Sequence, residues 1–197
     1  MYTTNETIFR IVFGILWLVY LFVRLYFQGK ARQVGGYIRF NEKQESFFFR
    51  LFAIAFFVLL LYCLTPWVDF AHLPFPLWLR WVGAAVTCAG TALFVWAHYA
   101  LGKNWTAVLA LSEQQKLVTD GPYRFVRHPM YSAFFTISIG YLFLSANWLI
   151  SAVYLGTLIA MVAARIGREE EMMVGRFGEA YSRYMQQTGR ILPRLWK

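Results

Sequence analysis

The chain has 197 residues, of which 59% are hydrophobic, 20% aromatic and 15% charged, with a formal net charge of +9. Soluble domains carry about 25% charged residues and interleave apolar with polar positions at helix or strand period. Here the apolar residues come in long uncharged blocks, which excludes a soluble globular fold, an alternating membrane β-barrel and a disordered chain.

No Asp, Glu, Lys or Arg occurs between Arg10 and Arg24, between Arg50 and Asp69, between Arg80 and Lys103, or over residues 129–164. A bilayer core of about 30 Å needs about 20 apolar residues at 1.5 Å each. The first block predicts a helix over residues 7–27. It reads as a retained span, because Glu6 sits ahead of it and no small-residue cleavage site follows before Arg24. The next two predict helices over residues 47–67 and 77–101. Cys63 and Cys88 fall inside these apolar blocks, where free thiols behave as small hydrophobes, so no disulfide is expected.

The last block holds 36 uncharged residues and as one helix would run about 54 Å, longer than any bilayer is thick. It must fold back. Ser145, Ala146 and Asn147 form its one small polar cluster, so the turn is expected there, between helices over residues 129–144 and 147–166. The expected fold is all-α: a polytopic integral membrane protein of five transmembrane helices with a C-terminal helical hairpin. We read residues 1–197 as one domain, with N-terminal spans over 7–101 and a catalytic region over 102–197.

Basic residues mark the cytoplasmic side of a membrane protein. Placing residues 28–46, 102–128 and those after Ala164 on one side, with Arg24 and Arg50 reaching toward it, collects 17 of the 19 basic and 8 of the 10 acidic residues there. Only Arg10, Arg80, Glu6 and Asp69 stay opposite. The expected topology is N-terminus outside and C-terminus cytoplasmic. Trp67, Trp78, Trp81 and Trp148 fall at outer helix ends, and Trp105 and Trp196 on the inner side, as interfacial belts require. The basic balance is topological, with some attraction for anionic lipid. No nucleic-acid module is present.

Two polar clusters stand out on the inner side. Residues 116–131 read KLVTDGPYRFVRHPMY. Gly121 and Pro122 signal a turn, and Pro129 suits the first position of a helix. His128 then sits at the cap of the fourth helix, where free backbone N–H groups and the positive dipole end can receive an anion. Taken alone, the segment also fits an interfacial anchor. The second cluster is Arg165, Arg168, Glu169, Glu170 and Glu171 at the exit of the fifth helix. Arg165 and Glu169 are spaced i, i+4 and can pair, although a solvated juxtamembrane helix would show the same pattern. Antiparallel packing of helices four and five brings the two clusters together. His98 reads as a packed residue and His72 as a loop residue. The three histidines and two cysteines have no metal-ligand spacing, so no metal is expected.

The combination of GKNWT (residues 102–106), the 116–131 segment with its RHPMY, RIGREEE (165–171), FGEAYSRY (177–184) and GRILP (189–193) resembles the isoprenylcysteine carboxyl methyltransferase family. The likeness is strongest to its short prokaryotic members, and more distant to membrane phospholipid methyltransferases. The resemblance implies S-adenosylmethionine as cofactor, bound at the cytoplasmic face. It places cofactor contacts on Gln115, Lys116, Leu117, Val118, Tyr123, His128, Pro129, Met130, Tyr131 and Glu169, substrate contact on Arg165, and catalysis on Arg165 with Glu169. A prokaryotic cell membrane is the implied location. The implied acceptor is a lipophilic carboxylate entering sideways from the bilayer, with Phe134, Phe135 and Ile137 expected along its path. The alternatives are phospholipid N-methylation, for which Glu169 or Glu170 would have to serve as base, and a non-catalytic ligand-binding or scaffold protein.

Overall fold

The computed structural model describes residues 4–32, 37–39, 42–102, 110–112 and 116–194. Its long helices are α1 (Thr4–Arg32), α2 (Glu42–Leu64), α3 (Leu77–Leu101), α4 (Pro129–Ser145) and α5 (Trp148–Phe177), followed by a short α6 (Glu179–Gln187). Four of them are long and apolar enough to cross a membrane; α4 is a shorter apolar helix of 17 residues. Hydrocarbon offers the backbone no hydrogen-bond partner, so a helix, which satisfies its own groups, is the form these blocks must take. Exposed Ile11, Ile15, Leu18 and Phe22 on α1 and Ile54 and Phe57 on α2 are the lipid-facing surface this requires.

The expected boundaries shift where local chemistry acts. α2 stops at Leu64, three residues before the expected end, because Pro66 drives the preceding residue away from helical backbone. α5 runs eleven residues past Ile166, since no proline interrupts the charged stretch, and ends at Gly178 with φ 56°. At 1.5 Å per residue α5 is about 45 Å long, more than a hydrocarbon core of about 30 Å requires. α6 and a two-stranded antiparallel pair, β1 (Tyr37–Arg39) with β2 (Ala110–Ser112), have no counterpart in the sequence expectations.

The turn at residues 145–147 forms as expected. Ala146 adopts left-handed backbone at φ 47°, and the Asn147 carboxamide oxygen accepts from the Ile150 N–H at 3.1 Å. The Asn147 amide donates to the Val68 carbonyl at 2.7 Å, fastening the hairpin to the α2–α3 connection. α3 and α4 form the most intimate helix pair. They approach so closely that a Cβ on Gly140 would lie 2.7 Å from the Thr87 backbone nitrogen. Phe13, Tyr62, Tyr141, Leu144, Ile150 and Leu158 fill the centre of the bundle.

Arg10 and Arg80, the two basic residues set apart by the charge reading, are buried at the end of the bundle that holds the α4–α5 turn. Arg10 donates to the Tyr62 and Thr65 carbonyls at the end of α2 and pairs with Asp69. Arg80 donates to the Leu144 carbonyl at 3.1 Å and pairs with Glu6. Each guanidinium thus neutralises a helix C-terminus and carries its own counter-ion. His72, which had no expected partner, lies 3.9 Å from Glu6 and bridges to Asn147. Glu6→Gln leaves Arg80 charged and buried; the expected cost is about 2 kcal/mol, or roughly 4–8 °C in Tm. A thermal melt in detergent checks it, and an unchanged Tm would show that the pair contributes nothing.

Candidate active site

At the opposite end of the bundle the start of α4 and the emerging part of α5 meet. A 3₁₀ turn over Gly121–Arg124 precedes α4, and His128 stands at the N-cap with Pro129 in the first helical position. The Tyr131 hydroxyl donates to Glu169 Oε1 at 2.5 Å. Arg165, one turn back along α5, places Nε 3.3 Å from the same oxygen. His128 lies between two carboxylates, with Nδ1 3.5 Å from Glu169 Oε2 and Nε2 3.3 Å from Glu170 Oε1. Its ring stacks on Tyr131 at 5.5 Å. The two clusters, 34 residues apart at their nearest, therefore form one site.

Glu170 gathers further cations. Arg127 Nε donates to Oε1 at 2.9 Å, and Arg190, from the segment after α6, donates to Oε2 at 3.0 Å. The side chains of Arg127, His128, Arg165, Glu169 and Glu170 are all less than a quarter exposed. α6 covers this region with buried Tyr181 and Tyr184, and the Tyr184 hydroxyl donates to the Tyr123 carbonyl at 2.6 Å.

Burial alone would lower the imidazolium pKa of His128, but the hydrogen bonds and charges of Glu169 and Glu170 raise it above its ordinary value of 6.5. Burial likewise pushes both carboxyls up, and their cationic partners overcome it: His128 and Arg165 hold Glu169 below the usual carboxylate range, and His128, Arg190 and Arg127 do so for Glu170. With His128 protonated, this ion-paired cluster holds four cations against two carboxylates, a surplus that favours anionic ligand groups.

The sign of the pH dependence follows. A raised histidine contributes stability that is complete below its unfolded pKa near 6.5 and is lost as pH rises through the folded value. The lowered carboxyls contribute above their unfolded value near 4.5 and lose it as pH falls through their folded values. Thermal stability should therefore peak between about pH 4.5 and 6.5 and decline on either side. Melting curves across pH 3 to 9 test this, and a profile flat from pH 6 to 9 would contradict the His128 assignment.

Among the expected contacts, Tyr123, Pro129 and Tyr131 are buried, while His128, Met130, Leu117, Val118, Arg165 and Glu169 are half-buried. Lys116 is exposed. Gln115, residues 103–106 of the GKNWT stretch, Trp105 and Trp196 lie outside the described residues. Two expectations change. The His128 N–H, expected to be free for a ligand, donates to the Arg190 carbonyl at 3.0 Å, and the Arg127 N–H donates to Gly189 at 2.8 Å. An additional strand-like segment occupies the cap. Ile137 is fully buried against Gly90 of α3 and Phe134 is buried against Phe94, so this part of α4 is a helix seam; Phe135 remains half-buried. Sequence reasoning gave no site role to Arg127 and Arg190. Their spacing carries no helical signal, since one lies before α4 and the other after α6.

His98, expected to be packed, is buried between Phe27 and Phe94, with Nδ1 2.9 Å from the Phe94 carbonyl of its own helix. Among the described residues no group of His, Cys, Asp and Glu could hold a metal ion.

Comparison with known proteins places the site in context. The isoprenylcysteine carboxyl methyltransferase family profile matches residues 82–175. The chain is 31% identical to the protein-S-isoprenylcysteine O-methyltransferase of Schizosaccharomyces pombe, over 54% of this chain and 46% of that protein. It is 30% identical to the protein of the same name from Mus musculus, over 66% of this chain and 49% of that protein. Against the protein-S-isoprenylcysteine O-methyltransferase B of Arabidopsis thaliana the identity is 28%, over 72% of this chain and 73% of the relative. The chain thus spans about half the length of the yeast and mouse relatives. Among solved structures it resembles that of a eukaryotic intramembrane Ras methyltransferase, with a TM-score of 0.55 and 28% identity, over 79% of this chain and 54% of the other.

Proposed function

We propose that the chain is a member of the isoprenylcysteine carboxyl methyltransferase family, whose profile it matches over residues 82–175, and that it is an S-adenosylmethionine-dependent methyltransferase. It esterifies a lipid-linked carboxylate, an isoprenylcysteine or a close analogue, at the membrane surface. The observation that carries the reading is the convergence of His128, Tyr131, Arg165 and Glu169 where α4 begins and α5 leaves the bilayer.

The donor set fits the cofactor. His128, whose protonated form Glu169 and Glu170 favour, suits its carboxylate, and Glu169 suits its ammonium or ribose hydroxyls. Tyr123, Met130 and Tyr131, with Leu117, Val118 and Pro129, supply apolar and aromatic wall, and an aromatic face also favours a sulfonium. When bound, S-adenosylmethionine supplies a methyl group activated by its positive sulfur.

The remaining chemistry is positional. A carboxylate, with an ordinary pKa near 4, is ionised at neutral pH and needs no general base. Arg165, planar and always charged, can hold one oxygen of that carboxylate and leave the other free to react. Tyr131 and Arg165 in turn fix Glu169. Orientation of this kind supplies most of the rate. The site end of the bundle is the basic one and faces the cytoplasm in this reading, and the acceptor's apolar tail stays in the bilayer.

Incubating the purified protein with methyl-labelled S-adenosylmethionine and a panel of lipids tests the proposal. Label recovered in a base-labile ester of a prenylcysteine supports it. Base-stable label in an aminophospholipid would replace it with N-methylation, and no cofactor binding at all would leave only a ligand-free scaffold.

A further inference from the structure

Glu169 and Glu170 are adjacent in sequence but serve different neighbours, because successive helix residues are turned about 100° apart. Glu169 meets Tyr131, Arg165 and Nδ1 of His128. Glu170 meets the opposite edge of the same ring at Nε2, and with it Arg127 and Arg190. An imidazolium has one N–H on each edge. With Nε2 held by Glu170, Nδ1 is the edge turned toward Glu169.

The same carboxylate ties down the segment after α6. Arg127, gripped by Glu170, donates to the Met185 carbonyl at 3.0 Å and to the Thr188 carbonyl. Backbone bonds then run from Arg127 to Gly189 and from His128 to Arg190, and the Ser132 hydroxyl donates to the Ile191 carbonyl. Residues 188–191 lie across the start of α4 as a strap, with Arg190 fastened to Glu170.

Building on the reading above, we propose that Glu170 is a positioning residue. By holding Nε2 of His128 together with Arg127 and Arg190, it aims Nδ1 at the cofactor pocket and closes residues 188–191 over that pocket as a wall. It touches neither cofactor nor substrate. The groups that bear on the ring are Glu169 and Glu170 of α5, Tyr131 of α4 and, through the carboxylates, Arg165, Arg127, Arg190, Tyr123 and Tyr181.

Two readouts test it, one in ligand-free protein. In Glu170→Gln the amide keeps the shape and drops the charge. The His128 ring, followed by NMR in labelled protein and assigned with His128→Asn, should titrate about one pH unit lower than in the wild type. S-adenosylmethionine affinity measured by calorimetry should fall tenfold or more. Glu170→Asp keeps the charge and should hold the titration midpoint within about half a unit while recovering most of the affinity. A contact that serves only folding would lower the melting temperature and leave the cofactor affinity of the folded protein unchanged. Wild-type cofactor affinity in folded Glu170→Gln overturns the proposal, whether or not the ring's midpoint moves.

Should Glu170→Gln fail to fold, Arg190→Gln releases only the strap. Faster amide exchange at residues 189–191 with about threefold weaker cofactor binding supports the proposal; unchanged exchange and affinity overturn it. If the wild type itself does not bind S-adenosylmethionine, the methyltransferase reading fails, and the ligand-free titration still decides whether Glu170 sets the state of His128.

Discussion

Arg165→Ala is expected to lower methyl transfer by at least a thousandfold, about 4 kcal/mol of transition-state stabilisation, while leaving the cofactor dissociation constant within about threefold. The side chain is 13% exposed and is braced by Glu169 one turn along. In the proposed mechanism, removing it takes away the group that locates the acceptor carboxylate; Glu169 is left with Tyr131 and His128. Arg165→Lys restores the charge without the planar fork and should recover only part of the rate. Steady-state kinetics paired with calorimetry check this. Parallel loss of cofactor affinity and turnover would move Arg165 into the cofactor site, and undiminished turnover would remove it from the mechanism.

Glu169→Ala should abolish cofactor binding, with affinity reduced a hundredfold or more. Three neighbours converge on this carboxylate: the Tyr131 hydroxyl at 2.5 Å, Arg165 at 3.3 Å and His128 at 3.5 Å. Its loss takes one partner from Arg165 and one from His128, which keeps Glu170, and hydrogen bonds to charged groups contribute about 1.5–3 kcal/mol each. Glu169→Gln keeps an acceptor for Tyr131, so it separates charge from shape and should still bind at least tenfold more weakly. Calorimetry on both variants, with melting curves as the control for folding, makes the comparison. Cofactor affinity equal to the wild type in both would overturn the assignment.

The contrast between Glu169 and Glu170 shows how far a linear reading extends. Arg165 and Glu169 were legible as a pair because helical spacing alone brings them within reach. His128 was legible as a cap because Pro129 fixes the start of α4. Glu170, by contrast, is held by Arg127 and Arg190, 43 and 20 residues away, through contacts that no period encodes. The His128 N–H illustrates the same limit from the other direction: helix geometry leaves it free, and a carbonyl from beyond α6 occupies it.

Along the spans, the uncharged blocks and the need for the backbone to satisfy itself in hydrocarbon determined the number of helices. The charge asymmetry separated Arg10 and Arg80 from the remaining cations, and the turn at 145–147 followed from a length no bilayer accommodates. These are properties that neighbouring residues and the solvent settle between them. Tertiary packing alone decided that Ile137 lies in the seam with α3 and not on the bilayer side, because that depends on Gly90 of another helix. It decided likewise that residues 188–191 lie across the start of α4, because long-range ion pairs form only after the chain has folded and leave no repeat in the sequence to find.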